Sequence, residues 1–228
     1  MIATISPSDM TKIEQIQHAI QEANFFRSKL TPEALAVPGF TSLKIRHLMN
    51  NLGAISTNYL DCGTHKGSTY CSTVFKNDNV QYATAIDSFV EFNEGSPMQE
   101  FLNNAGKLKP GVTQMQLVMK DWMSVGTESI PNDIDLYLYD ANHSFESQRD
   151  AITHFLPSMA NEFIMCIDDF SVWDFVKNGT EEGLRNAKII LPSFEILFRQ
   201  ELFNGIEGDN HGWHNGVGLF LLKQFCPT

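Results

Sequence analysis

The sequence predicts an α/β fold: a Rossmann-like, seven-stranded, mostly parallel sheet with a terminal antiparallel hairpin, helices on both faces and a helical N-terminal extension. Two observations predict it. From residue 58 onward, short apolar runs alternate with helical patterns, which is typical of a parallel sheet covered by helices. The last two runs are joined by residues 204–215, which contain several glycines and no helical pattern, and this suits an antiparallel hairpin.

The helical N-terminal extension is predicted over residues 1–55. Thr11 and Glu14 have the form of a capping box. Apolar residues then follow at helical spacing, namely Ile13, Ile16, Ile20 and Phe25. Thr31-Pro32 has the form of an N-cap followed by proline at the first helical position, and a further amphipathic helix ends at Gly53. We expect this extension to cover an edge or the mouth of a core domain formed by residues 56–228.

The core domain contains seven predicted strands and four predicted helices. The strands are expected at 58–61, 81–86, 114–119, 134–139, 162–168, 194–199 and 217–223. The helices are expected at 66–76, 95–105, 145–158 and 179–189.

Composition limits the classes of partner. The formal net charge of the 228 residues is −11, and no Lys/Arg cluster is present, which argues against nucleic acid and against anionic membrane surfaces. The apolar runs are too short to span a bilayer, and Met1 to Met10 has no secretory-signal pattern. Four cysteines without C-x-x-C spacing predict a reducing, cytoplasmic location. A small-molecule partner is therefore expected.

A glycine turn after the first strand is the most informative motif. Asp61 ends an apolar run and is followed by Gly63 and Gly67, whose missing Cβ atoms let a nucleotide-like cofactor approach the backbone. Asp87 ends the next strand, near the roughly 20-residue offset at which a carboxylate reaches a ribose hydroxyl. The pair predicts an adenosine-containing cofactor.

Carboxylates also end the later parallel strands, where ligands bind in such sheets. The strand-end acids are Asp61, Asp87, Asp121, Asp140, and Asp168 with Asp169. A single such aspartate more often caps a helix or turn, whereas five successive strand ends favour a site. Asp121 could meet an adenine amine, with Trp122 either stacking on the ring or belonging to the core.

The turn after the fourth strand adds a histidine to these acids. His143 lies three residues after Asp140 and is a candidate for a chemical role, the alternative being helix capping. Asp140, Asp168 and Asp169 would repel one another unless a cation binds, and oxygen ligands select Mg²⁺, Mn²⁺ or Ca²⁺ over zinc. Alternatively, the adjacent pair caps the next segment or binds an arginine. The hairpin loop contributes His211 and His214, which either contact substrate or only connect strands.

These motifs together resemble the class I S-adenosylmethionine-dependent methyltransferases and, more narrowly, the metal-dependent sugar O-methyltransferases of the macrocin and mycinamicin type. The resemblance covers about residues 55–225 and is carried by three segments, Leu60 to Thr69, Asp140 to Phe145 and Ile167 to Phe170. Asp61 stands where glutamate is frequent in that family.

The resemblance implies roles for these residues. His143 would be the general base and Asp140 its catalytic neighbour, while Asp140, Asp168 and Asp169 would hold Mg²⁺ or Mn²⁺. The implied S-adenosylmethionine-binding residues are Asp61, Gly63, Thr64, His65, Gly67, Ser68, Asp87, Ser88, Asp121 and Trp122. The implied acceptor is a sugar or polyol hydroxyl, the N-terminal extension would shape its pocket, and a homo-oligomer is possible.

Three other functions stay open at this stage. One is a non-catalytic module that binds the cofactor or a glycan. Another is a non-haem iron oxygenase on the same fold, in which His143 or His214 would act with Asp168 or Asp169, although two histidines and a carboxylate are then required. An NAD-dependent oxidoreductase is disfavoured because the glycine spacing is not G-x-G-x-x-G.

Overall fold

One mixed seven-stranded sheet forms the centre of the protein. The structure, a computed structural model, describes residues 10–90, 95–108, 112 and 114–225. The strands are β1 Asn58–Cys62, β2 Tyr82–Ile86, β3 Gln114–Val118, β4 Ile134–Tyr139, β5 Met159–Ile167, β6 Glu195–Leu202 and β7 Val217–Lys223. Their order in the sheet is β3-β2-β1-β4-β5-β7-β6. Strands β1 to β5 pair in parallel, and β7 lies antiparallel between β5 and β6. The predicted fold class, including the terminal hairpin, is confirmed.

Seven α-helices surround the sheet in the described part of the chain. They are α1 Lys12–Asn24, α2 Pro32–Leu35, α3 Leu43–Gly53, α4 Ser68–Val74, α5 Pro97–Leu108, α6 Phe145–His154 and α7 Asp174–Ile190. None of these helices has the length and apolarity that crossing a bilayer requires. Cys226 and residues 1–9, which include most of the segment judged for a signal pattern, lie outside the described residues.

Apolar side chains form one core on each face of the sheet. Helices α1, α3, α4 and α5 contribute to the first core, for example through Ile16, Leu48 and Phe101. Helices α6 and α7 contribute to the second core. At about 25 cal/mol per Å² of apolar surface, each fully buried side chain of this size contributes roughly 1.5–3 kcal/mol. The N-terminal helices thus cover one face of the sheet, whereas the segment after α2 extends toward the ends of the strands.

The capping signals near the N-terminus are confirmed. Thr11 and Glu14 form the reciprocal capping box of α1, and Thr31 caps α2 ahead of Pro32. Phe25, however, does not continue the apolar face of α1. It lies just beyond the last helical residue and is 60% exposed, because the helix ends at Asn24.

Candidate active site

A cavity of about 600 Å³ opens at the carboxyl ends of the five parallel strands, β1 to β5. Most of the site residues predicted from the sequence meet here. Those lining it are Gly63, Thr64, His65, Ser68, Asp87, Ser88, Asp121, Trp122, Asp140, His143 and Asp169. In a parallel sheet the carboxyl ends share one edge, so residues distant in sequence come together there.

The glycine turn forms one wall of the cavity. Gly63 has a φ of +93°, and a Cβ at this position would lie 2.0 Å from the carbonyl oxygen of Asp140, so no other residue fits without moving the backbone. Gly67 begins α4 in the left-handed region, with a φ of +85°. Gly67 faces Phe101 and is not among the cavity-lining residues. The turn therefore needs glycine at both positions: at Gly63 because a Cβ would meet the backbone of Asp140, and at Gly67 because the backbone is left-handed.

Asp87 is fixed by the backbone at the end of β2. Its Oδ2 accepts a hydrogen bond from the backbone N–H of His65 at 2.7 Å, and its Oδ1 accepts one from Phe89 at 2.6 Å. Each carboxylate oxygen has a second lone pair, so both can still accept from a pair of hydroxyls. The first of these bonds also joins the glycine turn to β2.

Asp61 lies beneath the turn, fully buried, and is not among the residues lining the cavity. The hydroxyl of Tyr59 donates to its Oδ2 at 2.8 Å, and within the described residues its Oδ1 has no hydrogen-bond partner. The pKa of Asp61 is raised to about 7, mainly by burial; the hydrogen bond from Tyr59 opposes this rise and the charge of Asp87 adds to it. A cationic group near the turn would favour its ionised form.

Asp121 and Trp122 form the wall at the end of β3. Oδ1 of Asp121 accepts from the backbone N–H of Met123 at 2.9 Å and so caps a short 3-10 helix. Trp122 is buried and packs edge-on against Tyr139 and His154. The position of Trp122 is therefore compatible with both predicted roles, core residue and stacking partner of the adenine, since it belongs to the core and also lines the cavity.

Asp140, His143 and Asp169 form a tight cluster at the ends of β4 and β5. One ligand atom from each lies within 4.8 Å of the others. Nε2 of His143 is 3.2 Å from Oδ2 of Asp169 and 3.6 Å from Oδ1 of Asp140. The edge of the His143 ring meets Trp173, with ring centroids 5.2 Å apart. The imidazole is thus positioned by two carboxylates and an indole.

Asp168 lies behind this cluster rather than in it. It is buried, and its Oδ1 has no hydrogen-bond partner among the described residues. Burial raises the pKa of Asp168 well above its ordinary value, and the carboxylates of Asp140 and Asp169 act in the same direction. The carboxylates of Asp140 and Asp169, with Asp168 behind them, are oxygen donors of the kind that a hard divalent cation accepts.

Several lining residues were not predicted from the sequence. Phe40, from the segment after α2, stacks on His65 with ring centroids 5.2 Å apart and an interplanar angle of 16°. Trp173 approaches from the turn before α7, and Asn215 from the β6–β7 loop. The same loop brings His214 into the cavity lining, while His211 stays exposed and outside it. No local motif marks Phe40, Trp173 or Asn215, since the place of each in the cavity depends on long-range packing.

The fold defined by this sheet order and cavity is that of the class I S-adenosylmethionine-dependent methyltransferases. No protein-family model matches the chain, and no curated protein matches it. The assignment of the fold rests on similar solved structures.

Cofactor-bound Rv0187 from MTB is 13% identical with a TM-score of 0.58, and the match covers 99% of this chain and 94% of that one. An O-methyltransferase from Bacillus cereus in complex with SAH is 11% identical with a TM-score of 0.57, covering 98% and 94%. TrmN from Thermus thermophilus is 13% identical with a TM-score of 0.56, covering 85% of this chain, which spans only 52% of that protein. At these identities the similarity establishes the fold alone.

Proposed function

We propose that the protein is an S-adenosylmethionine-dependent O-methyltransferase, assisted by Mg²⁺ or Mn²⁺, that methylates a hydroxyl of a sugar or a similar diol-bearing small molecule. The observation that best supports this proposal is the position of His143 between two carboxylates, in the same cavity as Asp87 and the glycine turn. A general base and a nucleoside-binding wall would then share one cavity. Two similar structures named as O-methyltransferases, from Bacillus cereus and Klebsiella pneumoniae, support the reaction class.

The cofactor would occupy the wall formed by the ends of β1, β2 and β3. Asp87 would accept hydrogen bonds from the ribose hydroxyls through its remaining lone pairs, and Asp121 and Trp122 would contact the adenine. The backbone at Gly63 and Thr64, with Asp61 behind it, would face the methionine part. S-adenosylmethionine supplies the methyl group, and these residues orient it toward the His143 end of the cavity.

His143 would take the proton from the acceptor hydroxyl. A positioned base of this kind contributes about 10²–10⁴-fold to the rate. Asp140 and Asp169 would hold the cation, and Asp168 would stand behind them as a third oxygen ligand. The cation supplies Lewis-acid stabilisation of the developing alkoxide.

A neutral acceptor suits the charge of the cavity. Among the lining residues in the described ranges, four carboxylates face a single ammonium, that of Lys120; the acids are Asp87, Asp121, Asp140 and Asp169. Hydroxyls are compatible with this lining, whereas a phosphate or carboxylate of the acceptor would meet the carboxylates that the proposed cation leaves unneutralised. We also propose a cytoplasmic location, which the buried free thiols of Cys62, Cys71 and Cys166 support.

The iron oxygenase is the weaker alternative. It requires two histidines and one carboxylate, and the tight cluster found in the described residues contains one histidine. A non-catalytic cofactor-binding module would have the same cofactor-binding wall. A measurement of turnover would distinguish it from an enzyme.

The proposal is tested by methyl transfer from isotope-labelled S-adenosylmethionine to a panel of neutral glycosides and catechols, with and without Mg²⁺. His143→Ala should lower kcat by about 10²–10⁴-fold and leave the cofactor dissociation constant nearly unchanged. His18→Ala, an exposed histidine on α1, is the matched control. Equal losses of turnover and cofactor affinity in His143→Ala would contradict the assignment of the base, and cofactor binding without transfer across the panel would favour the non-catalytic module.

A further inference from the structure

The β6–β7 loop, residues 203–216, is built into the wall of the cavity. The backbone N–H of Phe170 donates to the carbonyl of Gly216 at 3.0 Å, and that of Ser171 donates to Asn215 at 3.1 Å. These bonds continue the pairing of β5 with β7 beyond Asp169. They place residue 214 next to the turn that carries Asp169 and Trp173, at the His143 end of the cavity and away from Asp121.

The other side of the loop is attached to the start of α3. The backbone N–H of Leu43 donates to the carbonyl of Asn210 at 3.1 Å, and Oγ of Ser42 donates to that of Gly212 at 2.7 Å. Trp213 is buried in the core between these attachments and His214. A loop held on both sides presents its side chains in a fixed position, as a binding site requires.

His214 carries two features that its role as a connector does not explain. Its backbone lies in the left-handed region at a φ of +53°, which is uncommon for a residue other than glycine and costs free energy. Its Nδ1 is buried, and no hydrogen-bond partner reaches it from the described residues. A buried polar atom without a partner is destabilising, so the loop holds this residue in place at a cost, while the residue itself lines the cavity.

We propose that His214 binds a hydroxyl of the acceptor other than the one that is methylated, and that it thereby selects neutral, polyhydroxylated acceptors. This inference rests on the function proposed above. The reacting hydroxyl belongs at the cluster of Asp140, His143 and Asp169, so His214 on the adjacent loop meets a different group. A hydroxyl both donates and accepts, so it can pair with a ring nitrogen of either tautomer.

The test uses the full-length protein saturated with S-adenosylhomocysteine and Mg²⁺, and methyl α-D-glucopyranoside as the probe. NMR titration gives its dissociation constant. His214→Ala should raise that constant about tenfold, the loss expected for one hydrogen bond to a buried group. His214→Asn, which tolerates the left-handed backbone and keeps a polar group near the Nδ1 position, should recover part of the affinity. His211→Ala, in the same loop but exposed, is the control and should bind as the wild type does.

The outcomes separate this inference from the proposed function. Calorimetry of S-adenosylhomocysteine binding precedes the titration, and failure of the wild type to bind it would overturn the proposed function itself. If the wild type binds S-adenosylhomocysteine, equal glycoside affinity in His214→Ala and wild type would overturn the role of His214. Preference of the wild type for glucose 1-phosphate, or no binding of the glycoside, would overturn the selection of neutral hydroxyls.

Discussion

The buried carboxyl of Asp61 should make the stability of the protein fall as pH rises. Burial places its pKa at about 7 in the folded chain, against 3.8 for an ordinary aspartate. Below pH 3.8 the group is protonated in both states, and between 3.8 and 7 only the unfolded chain ionises. Unfolding is therefore increasingly favoured across that interval, and the effect is complete above pH 7.

The magnitude follows from the same two pKa values. One pKa unit corresponds to about 1.4 kcal/mol, so the full effect of Asp61 is roughly 4 kcal/mol. About 2 kcal/mol of this effect should appear between pH 5.5 and pH 8, because the titration of Asp61 in the folded state is nearly complete by pH 8. Asp61→Asn keeps the shape and an acceptor for the Tyr59 hydroxyl but removes this titration.

The assay is urea unfolding of wild type and Asp61→Asn at pH 5.5 and pH 8. The difference in free energy of unfolding, variant minus wild type, should rise by about 2 kcal/mol from the lower to the higher pH, or roughly 4–8 °C in Tm. The exposed Asp78→Asn controls for the loss of one negative charge. Other buried acids titrate in both proteins and cancel in the difference. A difference that stays constant with pH would refute the reasoning.

Three further predictions concern the turn, the N-terminal segment and the cluster. Gly63→Ala should destabilise the fold by about 3 kcal/mol or more, measured by urea unfolding, because its Cβ meets backbone at 2.0 Å. Arg46→Met should cost about 2–4 kcal/mol in the same measurement, because the buried guanidinium donates to the carbonyls of residues 34, 35 and 37. Asp169→Asn should abolish the gain in methyl transfer on adding Mg²⁺, with cofactor affinity retained in calorimetry.

Each of these three has an outcome that contradicts it. Gly106→Ala, where an added Cβ meets nothing within 4 Å, is the control for the turn, and equal stability of the two alanine variants would refute the steric argument. Wild-type stability of Arg46→Met would show that those carbonyls find other donors. A full Mg²⁺ response in Asp169→Asn would remove Asp169 from the ligand set.

The sheet could be predicted because its signals are local. Apolar runs bounded by turns marked every strand, and the missing crossover helix before β7 indicated the hairpin. Boundaries were less accurate where no signal exists. Helix α7 begins at Asp174 rather than at residue 179, and its N-cap, Trp173, makes no side-chain capping hydrogen bond that a sequence pattern could reveal.

The candidate site was predictable to the extent that topology alone determines it. Parallel strands bring their carboxyl ends together, so the meeting of Asp87, Asp140 and Asp169 followed from the sheet. The burial of Asp168 behind its neighbour Asp169 could not be read from the adjacent pair in the sequence, because both residues follow the same strand end. Phe40 and Trp173 reach the cavity through tertiary packing, which no spacing in the sequence encodes.

Calorimetric titration of S-adenosylmethionine into the metal-stripped protein, with and without added Mg²⁺, tests the central claim most directly. We predict binding in the micromolar range that Mg²⁺ leaves unchanged, because Asp87 and the glycine turn are residues distinct from the cluster of Asp140, His143 and Asp169. Asp87→Ala should weaken that binding. Absence of binding under both conditions would contradict the account.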